Sequence, residues 1–168
     1  MSFLNSVIKI FVGDKAKKDV KELQPLVDKI KSFENTISGL SNDALREKTV
    51  QFKNSIQQSR ATIYGQIETL KQEAEATEDI DRREEIYSEI DKLYNDAYLA
   101  TEKALNEILP EAFAVVKETA KRFVANPTLT VTATPFDREL SATKSYVTLQ
   151  GDTALWQNSW DAAGKEVT

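Results

Sequence analysis

Apolar residues recur at helical spacing along two long consecutive runs. The first passes through Leu45, Phe52, Ile56, Ile63, Ile67 and Leu70, the second through Ile86, Ile90, Leu93, Tyr94, Ala97 and Leu105. The spacing predicts one helix from about Asn42 to Thr77 and another starting near Asp79. Both are polar on their remaining faces and are joined between Thr77 and Asp81, so they are expected to form a long antiparallel helical hairpin. The strongly acidic stretch from Glu68 to Glu89 reads first as a solvated face, with a docking surface as the alternative.

A further helical pattern precedes the hairpin in Val20, Leu23, Leu26, Val27, Ile30, Phe33 and Ile37. Pro25 lies inside it and implies either a kink or a fresh helix start. Gly39 closes this segment, and Ser41 suits the N-cap of the next. At the chain start Phe3, Leu4, Val7, Ile8 and Phe11 form one apolar stripe, expected to end at Gly13-Asp14. Two readings stand for this amphipathic helix: packing on its own domain, or contact with a membrane interface or partner. Five lysines against Asp14 and Asp19 give residues 1–21 a net +3, on a chain whose total is −5.

After the hairpin, Pro110 is expected to open a compact helix from Glu111 to about Val124. Ala112, Phe113, Val115, Val116, Ala120 and Phe123 make it apolar on more than one face, which predicts burial, with Glu118 and Arg122 paired on the exposed remainder. Beyond Asn126-Pro127 the period changes. Leu129, Val131 and Ala133 alternate with threonines as on a strand, and Asp137 to Thr143 fits a helical turn. Ser145 to Gln150 and Thr153 to Asn158 flank Gly151-Asp152, a hairpin signal. Trp156 and Trp160 read as packing anchors, or else as a ligand platform. No closing element is expected after Ala163, as at the boundary of a longer chain. The fold class is mostly α with a small β region.

Chemistry is limited by what is missing. There is no cysteine and no histidine, which removes the usual zinc sites, disulfides, Ser-His-Asp systems and the commonest general base. Net charge argues against a general nucleic-acid binder. Gly164-Lys165 fails as a phosphate-binding loop, because Glu166 stands where Ser or Thr is required and Ser159 where the first glycine belongs. Carboxylate pairs such as Glu84-Glu85 have no apolar setting that would mark them as acid and base. No catalytic residue and no metal ligand is expected. With no apolar run of membrane-spanning length and no secretory signal, a cytoplasmic location is expected.

The segment from Leu109 to Arg122, LPEAFAVVKETAKR, closely resembles a signature of the SecA family of preprotein translocase motors. Leu40 to Thr49, LSNDALREKT, followed by Phe52, resembles an earlier element of that family, and Leu23, Pro25, Val27, Ile30 and Glu34 are similar to the helix before it. The helices between Phe52 and Ile108 are longer than in the common family pattern, and the β region after Phe123 looks inserted. The resemblance implies three parts: a membrane or partner helix (1–12), the helical start of a larger α/β nucleotide-binding domain (15–124, with 57–107 an enlarged hairpin), and a β insertion (126–168). It implies an ATP- and magnesium-dependent translocase acting with the SecY channel, preproteins, anionic lipid and a second protomer, peripheral on the cytoplasmic face of the inner membrane. Its nucleotide motifs would lie beyond Thr168, leaving this segment non-catalytic. Phe3, Leu4, Val7, Ile8, Lys9 and Phe11 match the part that in the family meets lipid, channel or a second protomer. The competing reading is a stand-alone helical interaction or adaptor module.

Overall fold

The computed structural model describes the backbone of residues 3–162 and 165–167, and the side chains of Lys15, residues 17–159 and Lys165. Three long helices come first: α1 (Phe3–Ser38), α2 (Asn42–Ala76) and α3 (Ile80–Ala125). The expected hairpin is α2 and α3, turning at residues 77–79. Both helices are capped at their starts, the first by Ser41 as the sequence suggests and the second by Asp79. The Ser41 hydroxyl accepts from the Ala44 amide at 3.1 Å, and the Asp79 carboxylate accepts from the amides of Asp81 and Arg82. Each satisfies donors that the first helical turn leaves without partners.

Two expected helix boundaries are absent, and at Pro25, where a kink or a fresh start was expected, the helix is not restarted. Gly13 does not end the first helix; α1 runs through it to Ser38. A glycine inside a helix costs only about 1 kcal/mol, and good helix formers follow it from Lys15 onward. Pro25 also lies inside α1. It removes the amide that Lys21 would accept from, but Lys21 and Pro25 are both exposed, so water can take that carbonyl. Pro110 likewise sits inside α3, although it was expected to start a new helix. Pro110 itself is buried, while Asn106, whose carbonyl it leaves without an amide partner, is exposed. Freed carbonyls on the wet side of a helix do not force a break.

Two separate apolar clusters hold the helices. At the base, Ile37, Leu45, Ala114 and Val115 are buried together, with Ile30, Phe33, Leu40 and Phe52 packed around them. Towards the hairpin tip, Ile67, Ala74, Ile86 and Ile90 form the second cluster, flanked by Ile63, Leu70 and Leu93. Small side chains at Ala97 and Ala104, both buried on α3, line the stretch between them. The segment after Pro110 is less buried than its composition predicts. Ala114 and Val115 are inside, but Val116 is 66% exposed and Val124 87% exposed.

The remainder is a small β lobe: β1 (Thr128–Thr132), α4 (Pro135–Ser141), β2 (Val147–Gln150), β3 (Thr153–Gln157), β4 (Trp160–Ala162) and β5 (Lys165–Val167). The first three strands form an antiparallel sheet in the order β1-β3-β2. Its register pairs Val131 with Ala154 and Val147 with Trp156. Gly151 takes φ +60° in the β2–β3 turn, the left-handed conformation that the Gly-Asp pair promised. Where no closing element was expected, β4 and β5 pair as a second, two-stranded sheet. Among the described residues no helix is long and apolar enough to cross a membrane.

Candidate functional site

The first turns of α2 hold the β lobe. Asn42 donates from Nδ2 to the Thr130 carbonyl at 3.0 Å. Asp43 accepts from the Thr132 amide and hydroxyl, both at 2.8 Å. One turn on, the Arg46 guanidinium meets the Asp137 carboxylate at 3.0 and 3.1 Å. Asp137 is fully buried. It also accepts from the Thr134 amide at 2.8 Å, the Thr134 hydroxyl at 2.7 Å and the Trp156 indole N–H at 3.0 Å. Burial alone would raise its pKa; the Thr134 amide, Arg46, the Thr134 hydroxyl and Trp156 outweigh that and hold it down at about 2. Trp156 is therefore a packing and hydrogen-bonding anchor. The Trp160 side chain lies outside the described residues.

Arg122 performs the matching task at the base. Instead of pairing with Glu118 on an exposed face, both side chains are only 14% exposed, at 2.9 Å. Its other nitrogens donate to Asn42 Oδ1 at 2.8 Å and to the Leu40 carbonyl at 2.7 Å, clamping the α1–α2 turn onto α3. Lys48 and Glu111 pair at 2.8 Å, and Lys117 donates to Glu34. That hydrogen bond holds the Glu34 carboxyl below its ordinary pKa. The LSNDALREKT and LPEAFAVVKETAKR segments are thus in direct contact through Asn42–Arg122 and Lys48–Glu111.

On its other side, α3 carries Phe113, Val116 and Val124 exposed. With Ala120 they follow one another at three- and four-residue steps and form a single outward stripe. The stripe leads to an open cleft of about 790 Å³ lined by Ala120, Phe123, Val124, Tyr146 and Trp156. Its remaining lining residues are Gln157 and Asn158, so no carboxylate or lysine lines it. Position 165, the only lysine that follows a glycine, lies in strand β5. A phosphate loop would instead open a helix.

Phe3, Leu4, Val7, Ile8, Lys9 and Phe11 lie on α1, but their side chains are outside the described residues. Asn42, Asp43, Arg46 and Asp137 were not singled out from the sequence. One local signal existed: Thr134-Pro135-Phe136-Asp137 has the spacing of a capping box, and the structure forms it. Nothing local paired that box with Arg46, 91 residues earlier.

Residues 8–154 match the family model described as the SecA DEAD-like domain. The protein translocase subunit SecA of Flavobacterium psychrophilum is 62% identical over 168 residues, covering 100% of this chain and 15% of that protein. The same subunit of Christiangramia forsetii is 57% identical with the same coverage. That of Phocaeicola vulgatus is 49% identical over 99% of this chain and 15% of its own length. These alignments run through both the long hairpin and the β lobe, so the relatives share them as sequence. No solved structure matches the chain. The chain spans about 15% of the length of these relatives. With the matched residues covering most of its length and holding both signature segments in contact, the chain belongs to the SecA family.

Proposed function

We propose that this chain is the helical start of an ATP-driven preprotein translocase motor and braces that motor's nucleotide-binding core. The observation that carries the reading is the exposed stripe of Phe113, Val116, Ala120 and Val124. It lies on the segment with the strongest family resemblance, opposite the face that clamps α1 and α2. Apolar side chains in such a row are stabilised only when something covers them, at roughly 25 cal/mol per Å² removed from water. In this proposal residues 15–124 are the brace, 57–107 an enlarged arm and 126–168 an inserted lobe. ATP and magnesium are bound by other parts of the whole protein. The SecY channel, preproteins and anionic lipid are its partners at the cytoplasmic face of the membrane.

The test uses the full-length protein with preprotein and membrane vesicles containing the channel. Val116→Asp is expected to lower preprotein-stimulated ATP hydrolysis by about tenfold or more, because it places a charge inside the covered contact. In the 168-residue chain the same substitution is expected to shift stability by no more than about 0.5 kcal/mol, since the site is exposed there. A full-length protein that hydrolyses no ATP would overturn the proposal, as would unchanged turnover in the variant.

The N-terminal segment is proposed to meet anionic membrane through Phe3, Leu4, Val7, Ile8, Lys9 and Phe11. Each lysine near such a surface contributes about 1 kcal/mol. Deleting residues 1–12 is expected to weaken co-sedimentation with anionic liposomes, more so at low salt. Unchanged co-sedimentation would assign the segment to packing alone.

A further inference from the structure

The β lobe meets the helices through polar contacts that surround a hollow. Asn42 with Thr130, Asp43 with Thr132 and Arg46 with Asp137 hold it on the α2 side. On the α3 side Asn158 Nδ2 donates to the Phe123 carbonyl at 3.0 Å. The same interface contains a cavity of about 260 Å³ with apolar walls from both parts. The helices supply Leu45, Val115 and Phe123, and the lobe supplies Leu129, Val131 and Trp156. Leu45, Val115 and Val131 are buried. Polar groups on the same walls are already engaged. Arg46 holds Asp137, and Arg122 donates to Glu118, Asn42 and the Leu40 carbonyl. The Thr119 hydroxyl donates to the Val115 carbonyl at 2.8 Å, and Thr49 is exposed. Among the described residues no buried side-chain nitrogen or oxygen lacks a partner.

A water molecule in such a space needs about two to four polar partners, and these walls have few to offer. An ion would give up its hydration with no unpaired charge to meet it, because Arg46 faces Asp137 and Arg122 faces Glu118. A dry apolar cavity of about 150 Å³ holds benzene, so the larger volume here has room for two fused rings. Phe123 and Trp156 also line the open cleft beside α3. These two side chains therefore stand between cleft and cavity and mark a way in. We infer that the cavity is a binding site for a small, neutral, apolar molecule of one or two rings, and that filling it locks the lobe onto the helices. Half of the apolar walls belong to each part, so a molecule between them gains its full contact only while the lobe is seated. The inference does not depend on the motor reading, because every wall belongs to this chain.

The experiment titrates the 168-residue chain with toluene and, separately, with benzoate, which carries the same ring and a charge. Amide and indole N–H signals are followed by nuclear magnetic resonance. Toluene is expected to shift the signals of Leu45, Val115, Leu129, Val131 and the Trp156 indole saturably. Benzoate is expected to bind at least about tenfold more weakly. At about ten times its Kd, toluene is expected to slow proteolytic cleavage between residues 126 and 158 by about tenfold, because it binds only the seated lobe. Leu129→Phe puts side chain into the cavity and is expected to abolish saturable binding. Val131→Ile makes the same change by one carbon and is expected to weaken it, and the unliganded spectrum of each variant checks that the lobe remains seated. Absence of saturable toluene binding would overturn the inference. Shifts confined to Ala120, Val124 and Tyr146 would place the ring in the outer cleft and do the same. So would equal affinity for benzoate, unchanged cleavage at saturating toluene, or undiminished binding in both filled variants.

Discussion

Asp137→Ala is expected to release the β lobe from α2 at a cost of about 3–5 kcal/mol, the range for breaking a buried ion pair from one side. Removing the carboxylate leaves the Arg46 guanidinium, the Thr134 amide and the Trp156 indole without their shared acceptor. Two further interactions between lobe and helix, Asn42 with Thr130 and Asp43 with Thr132, remain but are exposed. The expected readouts are loss of near-ultraviolet dichroism and early proteolytic cleavage between residues 126 and 158, while the helical signal persists. Replacing both partners, Arg46→Leu with Asp137→Leu, should recover much of the loss, because no buried charge then stands alone. Equal damage from single and double variants would show that the pair is not what holds the lobe.

The same carboxylate sets an acid limit. Its pKa is depressed from 3.8 to about 2 in the folded chain. A depressed carboxylate contributes stability that is fully present above its unfolded pKa and is lost as pH falls through the folded value. The window is therefore from about pH 4 down to pH 2, and the shift corresponds to roughly 2 kcal/mol. Urea unfolding across that window should show this slope in the native chain and lose it in Asp137→Asn.

Ile86→Ala should have the second large effect, about 2–5 kcal/mol, through the lost transfer energy and the cavity left behind. Ile86 is fully buried against Ile67, Ala74 and Ile90 in the tip cluster. That cluster shares no buried residue with the base cluster of Ile37, Leu45, Ala114 and Val115. The loss is expected to stay local. Amide exchange should rise sharply in residues 63–93 and little in residues 111–122, because separately packed parts of a structure open at their own free energies. Uniformly raised exchange would mean that arm and base unfold as one unit.

The hairpin, its turn at 77–79, the Ser41 cap and the Gly151 turn were all legible in the residues. Each depends on neighbours a few positions apart, so local spacing carries the information. The helix breaks expected at Gly13 and Pro110 were also local inferences, and they failed because a glycine keeps its amide and costs a helix only about 1 kcal/mol, while a proline removes a single donor. Whether the chain then breaks depends on whether the freed carbonyl meets water, as at Asn106. Burial of the segment after Pro110 was over-read for a related reason. Composition shows that Phe113 and Val116 need a cover, but not which part of the molecule supplies it.

The sequence by itself determined the mostly helical class, the family resemblance in LPEAFAVVKETAKR and LSNDALREKT, and the absence of cysteine and histidine chemistry. Only the tertiary structure decided that Arg46 meets Asp137, that Arg122 clamps Leu40 and Asn42, and that α3 is one helix with a clamped face and a free one. Those contacts join residues 80 to 91 positions apart. Periodicity fixes which side of a helix is apolar. The choice of partner for that side is set by chain reversal and packing, which no local pattern contains.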